Sequence, residues 1–145
     1  MHLTTYSDYA LRVLIYLGLQ DGRLVTIKEI ADSYGISKSH LMKLVHQLGL
    51  MGYIETLRGK NGGMRLNRSP EEINLGVLLR ETEQNFELVE CFSFDNQCRI
   101  TPVCNLKHIL ADAMKAFLDI LDQHTLKDLL ADREKPQLLR LLQIA

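Results

Sequence analysis

The chain has 145 residues and a net charge of -1, a length that can bury a hydrophobic core without disulfide staples. Its first residues lack the basic and apolar pattern of a signal peptide, and no stretch approaches about 18 consecutive apolar residues, so we expect a soluble, cytoplasmic protein outside the membrane. Residues 1–70 carry nine Lys and Arg against five Asp and Glu, and residues 71–145 carry eight against thirteen, so only the first part suits an anionic partner such as DNA.

A first helix is predicted from Ser7, which is placed to cap it, to about residue 20. Leu11, Leu14 and Ile15 recur at helical spacing within it. Its other faces also carry apolar residues. We therefore expect the helix to be largely buried.

Two further helices joined by a tight turn are predicted next. Thr26 and Glu29 have the spacing of a capping box, which favours a short helix ending near Tyr34. Gly35 supplies the turn and Ser37 can cap the third helix. The apolar stripe of that helix consists of Leu41, Leu44, Val45 and Leu48. This order is typical of a helix-turn-helix.

The polar residues of the third helix are candidate DNA ligands. Those near its start or opposite its apolar stripe are Ser37, Lys38, Ser39, His40, Lys43, His46 and Gln47. Ser and Gln bind base edges, Lys binds guanine or phosphate, and the start of a helix offers backbone donors to phosphate. The alternative is an ordinary solvated face.

A hairpin is predicted directly after this helix. Residues 53–57 and 64–66 have the composition of short strands, and the loop between them, Arg58-Gly59-Lys60-Asn61-Gly62-Gly63, favours a turn. Arg58 and Lys60 lie at its tip, with Arg65 and Arg68 behind. A basic hairpin in this place can contact a minor groove or its phosphates. Residues 1–70 are therefore predicted to be a winged helix-turn-helix DNA-binding domain.

Residues 71–104 are predicted to form a short buried connecting helix, a polar stretch at 81–85 and a cysteine loop. The only cysteines, Cys91, Cys98 and Cys104, are spaced C-x6-C-x5-C around Pro102. An odd number of thiols in a reducing compartment favours a metal ligand or a reactive role over disulfides. Thiolates bind iron-sulfur clusters and zinc, although the paired knuckles of structural zinc sites are absent from the sequence. Three unrelated cysteines are the remaining alternative.

A long apolar helix is predicted from residue 105 to about 122. Its apolar residues are spaced 4, 3, 4, 3, so they must be covered by the protein's own core or by a second copy. We favour a homodimer, because a palindromic DNA site needs two copies of the reader. The tail is predicted to pack back as short helices interrupted at Pro136. The fold class is mainly α with a small β wing, and residues 105–145 form the dimerisation helix and carboxy-terminal helices.

Three motifs together resemble the iron-sulfur winged-helix transcriptional repressors, the family that contains NsrR and IscR. They are Leu3-Thr4-x-x-x-Asp8-Tyr9-Ala10-Leu11-Arg12, the loop at 58–63 and the three cysteines, and the likeness spans about residues 1–125. The stretch Cys91-(x6)-Cys98-(x3)-Pro102-Val103-Cys104-Asn105-Leu106-Lys107 is most similar to the nitric-oxide-sensing members. The resemblance implies a homodimer on palindromic double-stranded DNA, with a 4Fe-4S cluster on Cys91, Cys98 and Cys104, that releases DNA when nitric oxide attacks the cluster.

The fourth cluster ligand differs between the branches of this family. The 2Fe-2S regulators of iron-sulfur cluster genes use a His three residues after the last Cys, where this chain has Lys107, with His108 one place further. The nitric-oxide sensors use an Asp from the other subunit, and Asp8 matches that position, although an Asp in a first helical turn is also favourable for the helix dipole. His108 with a 2Fe-2S cluster and a zinc or thiol-redox repressor remain the alternatives. The sequence shows no cofactor loop or catalytic pair, which argues against an enzyme.

Overall fold

The computed structural model describes residues 1–144, and within them the chain forms six α-helices and one two-stranded antiparallel sheet. The helices are α1 (Thr5–Gly18), α2 (Ile27–Tyr34), α3 (Lys38–Leu50), α4 (Leu75–Thr82), α5 (Leu106–Asp122) and α6 (Lys135–Leu141), and the strands are β1 (Ile54–Leu57) and β2 (Gly63–Leu66). Short 3-10 turns lie at Pro70–Glu72, Glu90–Phe92 and Leu126–Leu130. The predicted fold class, mainly α with a β wing, is confirmed.

Helix α1 begins earlier than predicted. Its cap is Thr4, whose Oγ1 accepts a hydrogen bond from the Ser7 backbone N–H at 3.2 Å. The prediction that Ser7 caps the helix is therefore wrong. Ser7 lies buried inside the first turn, where its Oγ donates to Oγ1 of Thr82 at 2.8 Å. Both residues can cap, and the contact with α4 decides which one does so.

The helix-turn-helix forms as predicted. Thr26 and Glu29 make both hydrogen bonds of the capping box at the start of α2, and Gly35 ends that helix with a left-handed φ of 68°. That conformation costs glycine little and other residues more. Ser37 stands at the cap of α3, but its hydroxyl bonds Ser39 Oγ at 2.8 Å rather than the backbone.

The wing is the antiparallel pair of β1 and β2, with Glu55 opposite Arg65 and Thr56 opposite Met64. The backbone of Met64 also exchanges two hydrogen bonds with Val25, at 2.8 and 2.9 Å, which fixes the wing to the segment before α2. A Cβ at Gly63 would lie 2.8 Å from the Val25 carbonyl oxygen, so only glycine allows this approach. The wing is thus fastened to the helix-turn-helix.

The carboxy-terminal tail shares the core of the amino-terminal helices. Leu126 is fully buried and Leu142 is buried in the same cluster, and Ser33 Oγ of α2 donates to the Leu142 carbonyl at 2.9 Å. The prediction that Pro136 interrupts the tail is wrong. Pro136 lies in the first turn of α6, where a proline is tolerated because the missing N–H would have no partner in the helix. The three segments predicted from the sequence therefore share one core.

Helix α5 has the predicted span, and the carboxyl end of α5 packs on α4. Arg80 forms an ion pair with Asp122, and the Asn74 side-chain amide donates to the Asp122 carbonyl at 2.7 Å. Every residue of α5 keeps some exposure, and Leu106, Ile109 and Ile120 are each more than half exposed. The chain's own core therefore leaves the apolar face of α5 largely uncovered.

Candidate DNA interface and thiol loop

The polar face of α3 is accessible over its whole length. All seven polar residues predicted to contact DNA on this helix, from Ser37 to Gln47, are exposed, while Leu41, Leu44, Val45 and Leu48 are buried. The burial of one face fixes the rotation of α3, and the opposite face, which carries Lys43 and Gln47, is available to a major groove.

The wing concentrates its free positive charge at the tip. Arg58 and Lys60 are exposed, and among residues 1–144 neither pairs with an acidic side chain. Arg65 instead pairs with Glu55 at 3.0 Å across the strands. Arg68 lies 4.3 Å above the ring of Tyr53 and donates to the Met51 carbonyl, so its charge is used inside the fold rather than at the wing surface.

A groove of about 520 Å³ separates α3 from the wing. Its lining includes Lys28, Lys38, Met42, Leu57 and Arg58. Met42 is 60% exposed, although it is apolar. The sequence prediction did not include Met42 among the candidate DNA contacts. The signal that could have found it is its position outside the apolar stripe of α3, which indicates an exposed side chain.

A second cleft, of about 290 Å³, lies between the start of α1 and α3. Tyr6 and Tyr9 of α1 face His40 and Lys43 of α3 across it. Burial raises the pKa of Tyr6 above its usual value, so its hydroxyl stays a neutral donor. The first turn of α1 therefore borders the predicted DNA surface, a proximity that helical periodicity alone does not reveal.

Asp8 lies in this same first turn and is held by Arg12. The guanidinium donates to both carboxylate oxygens, at 2.8 and 3.2 Å, and also lies 5.5 Å from the ring centre of Tyr9 and 5.9 Å from that of Tyr34. The Asp8 side chain is 45% exposed. It is accessible to a second subunit, but binding a metal would require it to exchange Arg12 for the new partner.

The thiol loop, residues 84–104, has little regular structure. Its bonds are mostly local: the Cys98 N–H donates to Asn96 Oδ1 at 2.9 Å, and Thr101 Oγ1 donates to the Cys98 carbonyl at 2.9 Å. All three cysteines are free thiols, with Cys98 exposed and Cys91 and Cys104 half-buried. Local bonds of this kind leave the loop able to rearrange around a ligand.

The structure does not draw the three thiols into one metal-binding group. Among residues 1–144, no three His, Cys, Asp or Glu side chains are close enough together to hold a metal ion. The chemistry of the donor set nevertheless fits an iron-sulfur cluster, because thiolates are the principal ligands of such clusters and all three sulfurs are free and accessible. His108 is exposed in the first turn of α5, four residues after Cys104.

The thiol loop also exposes large apolar side chains. Phe94 is fully exposed, and Val103 and Ile100 are mostly exposed. They continue towards the exposed apolar residues at the start of α5. Single exposed apolar residues are ordinary, but a run of them along one loop and helix is typical of an interaction surface.

An exposed recognition helix followed by a basic wing defines a DNA-binding transcription regulator. A family model described as Rrf2, iron-dependent transcriptional regulator, matches residues 3–132. The chain therefore belongs to the Rrf2 family, which confirms the resemblance predicted from its motifs.

Individual relatives agree with this assignment. The chain is 54% identical to the HTH-type transcriptional regulator NsrR of Bacillus licheniformis, over 92% of this chain and 95% of the relative. It is 52% identical to the NsrR of Bacillus subtilis, with 92% and 93% covered. The solved structure of T. potens IscR superposes with a TM-score of 0.72 at 27% identity, covering 94% of this chain and 91% of the other. The prediction of a transcription regulator rather than an enzyme is confirmed by these relatives.

Among the described residues, no helix has the length and hydropathy needed to cross a membrane.

Proposed function

We propose that this chain is a homodimeric repressor that binds palindromic double-stranded DNA and releases it in response to nitric oxide, through an iron-sulfur cluster on Cys91, Cys98 and Cys104. The observation that carries this proposal is the joining, in one chain, of an exposed winged-helix surface to a loop with three free thiols. Its relatives named NsrR support the same direction. Because a repressor must reach DNA, we also infer a cytoplasmic location.

DNA recognition is divided between helix and wing. The exposed residues of α3, above all Lys43 and Gln47, contact base edges, while the backbone N–H groups and side chains at Ser37, Lys38 and Ser39 bind phosphate. Arg58 and Lys60 neutralise phosphates along the neighbouring groove. His40 and Arg65 contribute at the edges of this surface, Arg65 less because Glu55 already balances its charge.

Dimerisation uses the exposed apolar face of α5. Leu106, Ile109, Phe117 and Ile120 stay 39–59% exposed in the single chain. Covering them with the same helix of a second copy removes this apolar surface from water and yields the two-fold symmetry that a palindrome requires. The spacing of the two α3 helices then sets the spacing of the half-sites.

Three thiolates supply the protein ligands of the cluster, with 4Fe-4S favoured and 2Fe-2S as the alternative. When bound, the cluster supplies iron that reacts with nitric oxide, a reaction these side chains do not perform themselves. Asp8 of the other subunit is the proposed fourth ligand. A carboxylate is a harder donor than the thiolates, so its position is the most readily exchanged.

The release of DNA depends on which partner Asp8 holds. In the single chain Arg12 binds the Asp8 carboxylate, while the Tyr34 hydroxyl donates to the Arg12 carbonyl at 2.9 Å. An Asp8 drawn to the other subunit would instead fix the first turn of α1 across the dimer. Since that turn borders α3, a change of partner alters the relative placement of the two recognition helices.

The test is an anaerobic, non-denaturing mass spectrum combined with operator binding before and after nitric oxide. We expect a dimer with the mass of one 4Fe-4S unit per chain, and DNA affinity that falls after nitric oxide is added. Cys98→Ser should lose both the inorganic mass and the response. Gln97→Ala, which changes the exposed neighbour of Cys98, should keep both.

The same spectrum separates the alternatives. A 2Fe-2S mass with sensitivity to His108→Ala would replace the nitric-oxide sensor with a regulator of the IscR kind. Zinc, or thiols that pair on oxidation, would make the chain a metal or thiol-redox repressor with the same DNA surface. An Asp8→Ala variant that still releases DNA normally would remove Asp8 from the ligand set.

A further inference from the structure

The end of α4 is hydrogen-bonded to the start of α1 and to the segment that joins α3 to the wing. Three consecutive residues, Glu81, Thr82 and Glu83, each bond a different partner outside α4. We call these three residues the α4 junction. They lie in the polar stretch at residues 81–85, which belongs neither to the candidate DNA surface nor to the set of thiols.

Glu81 connects the α4 junction to the end of the recognition helix and the base of the wing. The hydroxyl of buried Tyr53, which lies between α3 and β1, donates to Glu81 Oε2. Arg68 lies 4.3 Å above the Tyr53 ring and donates to the carbonyl of Met51, the cap of α3, at 2.8 Å. Burial and the Glu81 hydrogen bond raise the pKa of Tyr53 to about 12, so the phenol stays a donor at neutral pH.

Thr82 and Glu83 connect the α4 junction to the start of α1. Thr82 Oγ1 accepts from the buried Ser7 hydroxyl at 2.8 Å and donates to the Leu78 carbonyl at 3.0 Å. Glu83 Oε1 accepts from the Thr4 N–H at 2.7 Å and from the Thr4 hydroxyl at 2.9 Å. The turn held in this way carries Tyr6 and Tyr9, which face His40 and Lys43 across the 290 Å³ cleft.

The α4 junction directly precedes the thiol loop in the chain. The thiol loop begins at the next residue, Gln84, so a movement at this end of the loop reaches Glu83 directly. The bonds to Thr4 and Ser7 reach α1, which lines a cleft with the start of α3, and the bond from Tyr53 reaches the segment just after the end of α3. A shift of the junction would therefore act near both ends of the recognition helix.

We infer that Glu81, Thr82 and Glu83 are positioning residues that orient α3 and the wing and transmit the state of the thiol loop to the DNA surface. The orienting role rests on the bonds alone, and the transmitting role rests on the proposed function. Contiguity by itself does not establish coupling, so the effect must be measured at residues that the junction does not touch.

The experiment compares two junction variants with a control. The junction variants are Tyr53→Phe, which removes the donor to Glu81, and Glu83→Ala, and the control is Glu87→Ala, which removes an exposed carboxylate from the loop beyond the α4 junction. Tyr53→Phe keeps the buried ring and removes only the hydroxyl. Hydrogen exchange is followed in cluster-free protein at the backbone amides of α1 and α3, and operator affinity is measured for cluster-loaded and cluster-free protein.

We expect both junction variants to speed exchange at the two ends of α3 by roughly fivefold, the effect of one lost hydrogen bond. We also expect the ratio of loaded to cluster-free affinity to fall by about fivefold or more relative to wild type. Glu87→Ala should leave both quantities at wild-type values. Faster exchange confined to the first turn of α1 in Glu83→Ala would show only a local role and would overturn the inference.

Failure of the inference is distinguishable from failure of the proposed function. If the wild type binds operator equally with and without cluster, the sensor function is wrong, and the orienting role is then decided by exchange in α3 alone. If the wild type responds and the junction variants respond to the same extent, the sensor stands and the transmitting role is wrong.

Discussion

Removing the two cations at the wing tip should change the salt dependence of DNA binding by a calculable amount. Arg58 and Lys60 are exposed, and within residues 1–144 neither has an acidic partner, so both are available to phosphate. Each phosphate contact contributes about -0.9 to the slope of log K against log salt concentration. In the proposed dimer, two wings with two contacts each therefore predict a slope shallower by about 3.6 in Arg58→Ala/Lys60→Ala. Each contact then corresponds to about 0.9 log units of affinity for a tenfold change in salt concentration.

The assay is fluorescence anisotropy with operator and with unrelated duplex DNA, over a range of salt concentrations. Because phosphate contacts carry no sequence information, both DNAs should lose affinity alike. The matched control is Arg133→Ala/Arg140→Ala, which removes the same charge from exposed positions in the tail. An unchanged slope in the wing variant would show that the wing tip does not contact phosphate. An equal reduction in the tail variant would show that net charge rather than the wing produces the salt dependence.

Three further predictions address base recognition, the core and acid stability. Lys43→Ala or Gln47→Ala should change the preferred bases in a library of operator variants, whereas an equal loss on every sequence would contradict the assignment of α3 as the recognition helix. Leu126→Ala should lower the free energy of unfolding by about 2–5 kcal/mol in urea titrations, because the side chain is fully buried between the tail and the amino-terminal helices, and a loss below ~1 kcal/mol would refute this packing. Burial raises the pKa of Glu83, but hydrogen bonds from the start of α1 outweigh it and hold the pKa below its usual 4.5. The stabilisation is therefore present above pH 4.5 and lost as the pH falls through the lowered pKa, and Glu83→Gln should flatten this acid dependence of unfolding.

The parts of the fold that the sequence predicted well depend on short-range physics. The Thr26 and Glu29 capping box, the turn at Gly35 and the apolar stripe of α3 each involve residues within a turn or two of one another. Each pattern has few structural solutions, so a single sequence is enough to identify it. The exposed candidates for DNA contact followed from the same stripe, since burying one face of a helix exposes the other.

The parts that it did not predict depend on partners far apart in the chain. Ser7 has the right chemistry for a cap, but Thr82, seventy-five residues later, gives it a different bond. The sequence pattern groups Arg68 with the wing charges, whereas in the structure it is half-buried against the Tyr53 ring and donates to the Met51 carbonyl. Pro136 looked like an interruption because its place within a helix depends on where α6 begins. In each case the residue type allows two roles, and tertiary contact selects one.

The two halves of the chain differ in how much apolar surface their own contacts leave exposed. The helix-turn-helix and wing bury their apolar stripe, and the exposed face of α3 is polar or charged apart from Met42 and Leu50. Residues 91–120 instead expose Phe94, Val103 and Ile120, and the three thiols lie in the same stretch without forming one metal-binding group. The apolar side chains of this stretch need a packing partner, and its three thiols need to come together around a ligand. A single assembly step would meet both requirements. We therefore expect assembly of the dimer and assembly of the thiol site to be coupled, and Ile120→Asp should weaken both in the native mass spectrum, whereas a monomer that still retains full cluster mass would separate them.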